Sequence, residues 1–302
     1  MPGRKIVIAG GTGFLGRHLI GSLVEAREEV VVLTRGDGTF KGVETVSWDG
    51  KTVGSWASEL ENSFAIINFA GASINQHWSD SAKHEILESR VQSAKAIGQA
   101  IQAARKPPMK WLNASATGFY GDRGDLTLDE TASAGVGFLP EVCGAWEAAV
   151  SELELPQTQR CIFRLGVVLG DGGMLKALGP VVRAGLGGKV GKGNQYMSWI
   201  HAEDVSGILR YLLDAESPPR LVNATAPSPV TNKDFMRTLR GVLRMPIGLP
   251  TPEAVFRAFA GTIGPGAETV LDSTRAVPAA LLQSGYRFKF PELKAAIQAS
   301  FQ

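Results

Sequence analysis

Glycine recurs at Gly10, Gly11, Gly13 and Gly16, where an apolar run, Ile6-Val7-Ile8-Ala9, gives way to an amphipathic stretch that opens Phe14-Leu15-Gly16. A backbone free of Cβ atoms can turn sharply there, approach a diphosphate closely, and let the following helix pack against the strand. The unpaired N–H groups and dipole at that helix start favour the phosphates. A glycine turn by itself is only a flexible connection; set between strand and helix at the head of a repeating pattern, it predicts the diphosphate loop of a dinucleotide site. About twenty residues further on, Leu33-Thr34-Arg35 closes the next apolar run, where an NAD-binding chain usually carries an acid for the ribose diol. Arg35 at that place predicts NADP, because a guanidinium can clasp a 2′-phosphate that a carboxylate would repel. Two other readings stay open: Arg35 as a solvated loop residue, and Asp37 reaching a diol.

The elements that must hold these residues follow from periodicity. Short β-branched runs alternate with helix-period stretches, which predicts an α/β fold with a Rossmann-type, doubly wound parallel sheet covered on both faces. Strands are expected at Lys5–Ala9, Val30–Leu33, Val43–Trp48, Ala65–Phe69, Lys110–Ala114 and Cys161–Leu165, with helices at Phe14–Glu25, about Asp80 to Ala104, and Pro140–Leu153. In the last of these, proline occupies the first turn and Val142, Trp146 and Val150 share a face. Gly185, Gly187, Gly188, Gly191 and Gly193 mark a loop or lobe boundary. Met197–Ile200, a helix from Ala202 to Leu213 and a strand Leu221–Ala224 read as a return to the sheet edge, and the chain is mostly helical from Thr231 onward. The expected division is a dinucleotide domain over residues 1–165, completed by about 198–226, and a smaller, mostly helical C-terminal substrate lobe from 166–197 and 227–302.

Composition narrows the partners. With 31 basic and 29 acidic residues the net charge is +2, and no block of like charge offers a stripe for phosphates, so nucleic acid is not expected. The N-terminal apolar run is too short for a membrane span and lacks a signal-peptide pattern, which points to a cytoplasmic address. Cys143 and Cys161 have no spacing for a zinc site or a disulfide framework and read as reduced packing residues; no metal is expected.

Several phrases carry a resemblance. Gly10 to Gly16 (GGTGFLG), Phe69-Ala70-Gly71 and Ser115-Ala116-Thr117-Gly118-Phe119-Tyr120-Gly121 are similar to the extended short-chain dehydrogenase/reductase pattern, which includes nucleotide-sugar epimerases and dehydratases. The phrases EILESR (Glu85 to Arg90), Trp146-Glu147, RLGVVLG (Arg164 to Gly170), WIHAED (Trp199 to Asp204) and Gly285-Tyr286-Arg287-Phe288 resemble an atypical "epimerase family" subgroup with its own C-terminal helical domain. The likeness spans nearly the whole chain. It implies cofactor contacts at Gly10, Thr12, Gly13, Phe14, Leu15 and Gly16, at Thr34 and Arg35, at Phe69, Ala70 and Gly71, at Glu85 and Arg90, and at Leu165. Glu85 and Arg90 also fit a plain solvated helix face.

The superfamily's catalytic pair is a tyrosine with a lysine four residues later, the lysine lowering the phenol's pKa so that it can pass a proton to a carbonyl. That pair is absent. Four residues after Tyr120, Tyr196, Tyr211 and Tyr286 stand Gly124, Ile200, Ala215 and Phe290. The superfamily's catalytic serine position falls on Ala116, flanked by Ser115 and Thr117. Ser115, Thr117 and Tyr120 are therefore the catalytic candidates, placed just beyond a strand's C-terminal end, with Ser115 leading and a mere turn-closing role as its rival. His201 with Asp204 reads as a helix start capped by Asp204, or as a histidine acid or base. Trp146 and Trp199 read as core residues rather than stacking platforms. The expected function is an NADP-dependent oxidoreductase or epimerase-like enzyme on an unknown small molecule, with nucleotide sugars or other carbonyl compounds suggested by kinship. The alternative is a non-catalytic NADP(H) sensor or regulatory protein; a scaffold with a vestigial site is disfavoured by the intact phosphate loop and Arg35.

Overall fold

A computed structural model describes residues 3–36, 40, 42–262 and 266–301. The first half alternates strand and helix: β1 (Lys5–Ala9), α1 (Phe14–Glu25), β2 (Glu29–Thr34), β3 (Glu44–Ser47), β4 (Ala65–Asn68), α2 (Asp80–Ala103) and β5 (Lys110–Ala116). Then come β6 (Thr127–Leu128), α3 (Phe138–Ser151), β7 (Gln159–Leu165), β8 (Val167–Leu169), α4 (Gly173–Val181), β9 (Tyr196–Met197), β10 (Trp199–His201), α5 (Ala202–Asp214) and β11 (Leu221–Ala224). The remainder is β12 (Val230–Thr231), α6 (Asn232–Val242), α7 (Glu253–Thr262), α8 (Glu268–Leu271), β13 (Arg275–Ala276), α9 (Ala279–Gln283) and α10 (Leu293–Ala299).

Seven strands form one parallel sheet in the order β11-β7-β5-β4-β1-β2-β3. Its central strands are buried on both faces, as their unbroken apolar runs require: Ile6 to Ala9, Val30 to Leu33 and Ala65 to Ile67 are all sealed from solvent. The crossover from β1 to β2 runs toward one edge and that from β4 to β5 toward the other. Right-handed crossovers then place α1 and α2 on opposite faces. α1 packs on α5 and α2 on α3. The strand order reverses between β1 and β4, and that switch point opens a crevice beyond the strands' carboxyl ends.

Lys110 shows how the layers are tied. It lies in the buried start of β5, and its Nζ donates to the carbonyls of Leu212 (3.1 Å), Leu213 (2.7 Å) and Ala215. These belong to the end of α5, whose last carbonyls have no intrahelical donor. A second apolar core joins Leu169, Leu175, Val182, Trp199, Phe235, Leu239 and Ile297.

Met197–Ile200 does not return to the main sheet. β10 pairs in parallel with β8 as a separate two-stranded ribbon, while β11 takes the sheet edge beside β7. The chain turns off at Gly166, whose amide still bonds to Ala224 O (3.1 Å), and this re-aims β8 away from β7. The glycine-rich stretch is more ordered than a plain loop: Gly188 donates to Leu249 O (3.1 Å) and Thr251 to Lys189 O (2.9 Å), stitching it to the segment before α7. Among the described residues no helix is long and apolar enough to cross a membrane.

Candidate active site

The β1–α1 turn is built for close approach. Gly10 has φ +76°, and a Cβ on it would stand 2.8 Å from the Ala70 amide nitrogen. At Gly16 a Cβ would stand 2.3 Å from Gly11 O, so the helix rests directly on the turn. Gly13 differs, since a Cβ there would meet nothing nearer than Gly10 O at 3.9 Å. It is also the N-cap of α1, where no side chain caps the helix. The first-turn amides therefore have no side-chain acceptor, and the space beside Gly13 is open, as a bound diphosphate needs. Thr12 offers its carbonyl to Arg17 Nε (3.0 Å), Leu15 packs on the main core, and the Phe14 ring lies edge-on to His18 and against Gly170 and Gly172.

At the end of β2, Thr34 is buried and its Oγ1 accepts from the Gly36 amide (3.2 Å). Arg35 is exposed, with no ion pair among the described residues. Asp37 lies outside the described residues.

The exit of β4 is fixed by two buried amides. Asn68 Nδ2 donates to Asn113 Oδ1 (2.8 Å) and Asn68 Oδ1 accepts from the Ala70 amide (2.9 Å). Phe69 stacks edge-on to Phe163. Gly71 leaves room for Arg90, whose Cγ would be 3.1 Å from a Cβ there. Arg90 Nη1 donates to the carbonyls of Ala72 (3.0 Å) and Ile86 (2.9 Å), and the guanidinium lies 5.3 Å from the Trp146 ring centre. No carboxylate among the described residues pairs with it, and burial holds its pKa below the ordinary arginine value. A half-buried cation without a counter-ion at the ligand-binding edge suits an electron-rich ligand. Glu85 is exposed on α2, and Leu165 ends β7 opposite Ala116.

The β5–α3–β7 side is a closed polar network. Ser115 is 2% exposed, and its Oγ donates to Glu147 Oε1 (2.6 Å). Arg164 grips the same carboxylate with Nε to Oε1 (2.8 Å) and Nη2 to Oε2 (2.7 Å), and its Nη1 donates to the Tyr120 hydroxyl (2.9 Å). That hydroxyl faces the Asp129 carbonyl (3.0 Å) and Asn223 Oδ1 (2.8 Å) for its single proton. The Arg164 guanidinium also stacks 3.5 Å from the centre of the Phe119 ring. Burial pushes the Tyr120 phenol above its usual pKa even beside Arg164. Tyr120 is wholly buried, and Thr117 is buried as well. Cys143 sits against the same network, where burial and the Glu147 charge push its thiol up to about 11; Cys161 is likewise buried and free.

His201 itself caps α5: its Nδ1 accepts from the Glu203 amide (3.3 Å). Asp204 does not cap the helix but accepts from the amides of Lys289 (2.6 Å) and Phe290 (2.9 Å). A neutral ring nitrogen suffices as the cap because burial holds the His201 pKa low. Trp199 is a core residue whose Nε1 donates to Ser228 O (2.9 Å); Trp146 is also in the core, though one face meets Arg90. Among the described residues no cluster of three or more His, Cys, Asp or Glu could hold a metal.

Sequence reasoning quoted Glu147 and Arg164 only inside longer phrases and passed over Asn68 and Asn113. One signal was available: a strand covered on both faces, Cys161–Leu165, contains an arginine, and a charge in such a strand must be paired.

Residues 6–224 match the NAD dependent epimerase/dehydratase family. The chain belongs to that family. Residues 251–300 match a domain of unknown function, DUF1731. Among curated relatives the chain is 33% identical to human epimerase family protein SDR39U1, over 97% of this chain and 98% of that one. It is 32% identical to Bacillus subtilis epimerase family protein YfhF, over 97% and 96% respectively. The crystal structure of human SDR39U1 (isoform 2) with NADPH superposes with a TM-score of 0.88 at 31% identity, covering 98% of both chains. A nucleoside-diphosphate sugar epimerase from Corynebacterium glutamicum gives 0.78 at 30% identity, over 99% of this chain and 59% of that one.

Proposed function

We propose that the protein is an NADP(H)-dependent oxidoreductase or epimerase-like enzyme whose ligand lies between the sheet's carboxyl edge and the lobe formed by residues 166–197 and 227–302. The observation that carries this reading is the uncapped start of α1, with open space at Gly13 and tight backbone approach at Gly10 and Gly16. Arg35 would hold the 2′-phosphate, Arg90 would supply a positive contact along the β4 edge, and Thr34, Phe69, Ala70, Gly71 and Leu165 would line the path. The human relative seen with NADPH supports NADP over NAD. The name of the Corynebacterium relative supports a nucleoside-diphosphate sugar as the first substrate class to try. Bound NADP(H) would supply the hydride chemistry; this chain's residues bind and orient it. Ser115, Thr117 and Tyr120 remain the catalytic candidates, Ser115 first; its hydroxyl, held on Glu147, would be the polar group beside the reacting end. The two free, buried thiols fit a reducing, cytoplasmic address.

A second reading, an NADP(H) sensor without turnover, is favoured by one observation: the hydroxyls of Ser115 and Tyr120 are both bonded inside the network. Calorimetry with NADPH and NADH tests the shared part. NADPH absorbance with a panel of carbonyl compounds and nucleotide sugars, joined to product analysis for self-regenerating epimerisation, separates the two. Tight NADPH binding with no product from any panel member would select the sensor; failure to bind either dinucleotide would end both.

A further inference from the structure

The cleft at the sheet edge has two unequal walls. On the β5 side the lobe is bolted down: Arg123 donates to Ser273 O (2.9 Å), Thr274 Oγ1 to Gly121 O (2.9 Å), Val277 to Leu128 O (2.9 Å), and β13 pairs with β6. On the β4 side stands the segment between Gly71 and α2. Asn75 donates to Ser73 Oγ (3.1 Å), Gln76 Nε2 to Ser73 O (2.8 Å), Trp78 Nε1 to Ile74 O (2.9 Å), and the Ser79 amide to His77 O (3.1 Å). Among the described residues, the hydrogen bonds of residues 73–78 stay within 73–79. The segment is a self-contained loop with Ile74 turned to solvent.

Its outward anchor is the half-buried Trp78. The indole meets the Phe138 ring, at the head of α3, edge-on with 4.9 Å between centres. Gly266 of the lobe lies so close beneath it that a Cβ there would stand 2.2 Å from the indole. One aromatic contact thus joins the dinucleotide half to the lobe on this side, against a row of hydrogen bonds on the other. Segments held by few contacts open first, and lids are drawn from them.

We propose that residues 73–78 form a lid over the β4 side of the cleft, hinged just after Ala72, which Ser89 Oγ and Arg90 Nη1 hold to α2, and at Ser79, and latched by Trp78 against Gly266 and Phe138. What the lid covers rests on the reading that NADP(H) binds at this edge; the latch itself does not. Opening requires that Trp78 leave Gly266 and the Phe138 ring, and no hydrogen bond from residues 73–78 to another element must break.

The test uses the full chain labelled with 5-fluorotryptophan, with the Trp78 resonance assigned through Trp78→Phe. Gly266→Ala drives a methyl group into the indole while keeping Trp78. The lid predicts that this substitution moves the Trp78 fluorine resonance toward that of free fluorotryptophan, with a larger H2O/D2O isotope shift, and leaves the other five tryptophan resonances in place. Stopped-flow NADPH binding is the second arm. Association and dissociation should both quicken by about ten-fold in Gly266→Ala and Trp78→Ala, the scale of one aromatic contact, with Kd changing less than about three-fold. An unmoved Trp78 resonance in Gly266→Ala, or unchanged rates with NADPH bound, overturns the lid. If wild-type protein does not bind NADPH at all, the cofactor reading falls and the fluorine arm alone decides the latch.

Discussion

The β1–α1–β2 side and the β5–α3–β7 side of the sheet edge solve opposite problems. The first leaves backbone donors unmet at the start of α1 and an arginine exposed beyond β2, so its chemistry is completed only by a ligand. In the second, the polar side chains of Ser115, Glu147, Arg164, Tyr120 and Asn223 satisfy one another in one continuous bonded chain. Binding capacity therefore sits with the backbone half, and rigidity with the side-chain half. The positions where the resemblance would put a proton relay, Ser115 to Tyr120 and the start of α3, lie in this second half.

That contrast can be broken most forcefully at Arg164. Arg164→Ala leaves the Glu147 carboxylate buried and unpaired, and should cost about 3–5 kcal/mol in urea unfolding; a loss below about 1 kcal/mol would mean the network is not what holds this half. Next in size, Arg35→Ala should weaken NADP binding by about 1.5–3 kcal/mol and scarcely alter NAD, read by calorimetry. Equal losses for the two dinucleotides would refute the 2′-phosphate role. The glycines sharpen the comparison within the open half. Gly16→Ala meets Gly11 O and should lower stability by about 1–3 kcal/mol, whereas Gly13→Ala enters open space and should leave unfolding within about 0.5 kcal/mol while impairing NADPH binding.

The smallest effect concerns Asp272, beside the rigid half. Burial, Asp122 and Glu268 push its pKa up to about 6 from 3.8. The folded state then holds a proton that the unfolded chain has released, so stability falls as pH rises from about 4 to 6. The carboxyl is half exposed, so after allowing for solvent screening Asp272→Asn should gain about 0.5 kcal/mol at pH 7. It should also flatten the pH dependence of the melting temperature; an unchanged slope would show that another group titrates there.

The open half was legible in the sequence because its requirements are local. A diphosphate turn needs glycines at fixed offsets between strand and helix, and Arg35 stands a countable distance beyond. The rigid half was not legible, since Ser115, Glu147 and Arg164 are far apart in the chain and meet only once β5, α3 and β7 are assembled. Ser115 was expected just beyond the strand's end, but β5 runs on to Ala116 and includes it; that Glu147 and Arg164 bond the hydroxyls of Ser115 and Tyr120 depends on segments far apart in the chain. Met197–Ile200 misled for a related reason. Its apolar pattern suits any buried strand, and the turn at Gly166 that moved its partner β8 out of the main sheet leaves no mark in that segment. The His201/Asp204 reversal arose because an N-cap signal names preferred residue types, while Asp204, inside the first turn of α5, is taken up by the distant amides of Lys289 and Phe290.

Asp204 also bears on how the molecule comes apart. Its carboxylate, buried at the head of α5, is met by two amides from the C-terminal tail, and burial raises its pKa against their pull. Cutting away the tail would strand that carboxylate in an apolar setting beneath the sheet. The two stretches matched by separate family descriptions should therefore melt in a single transition, and exchanging either as a module would leave the Asp204 contact unmet.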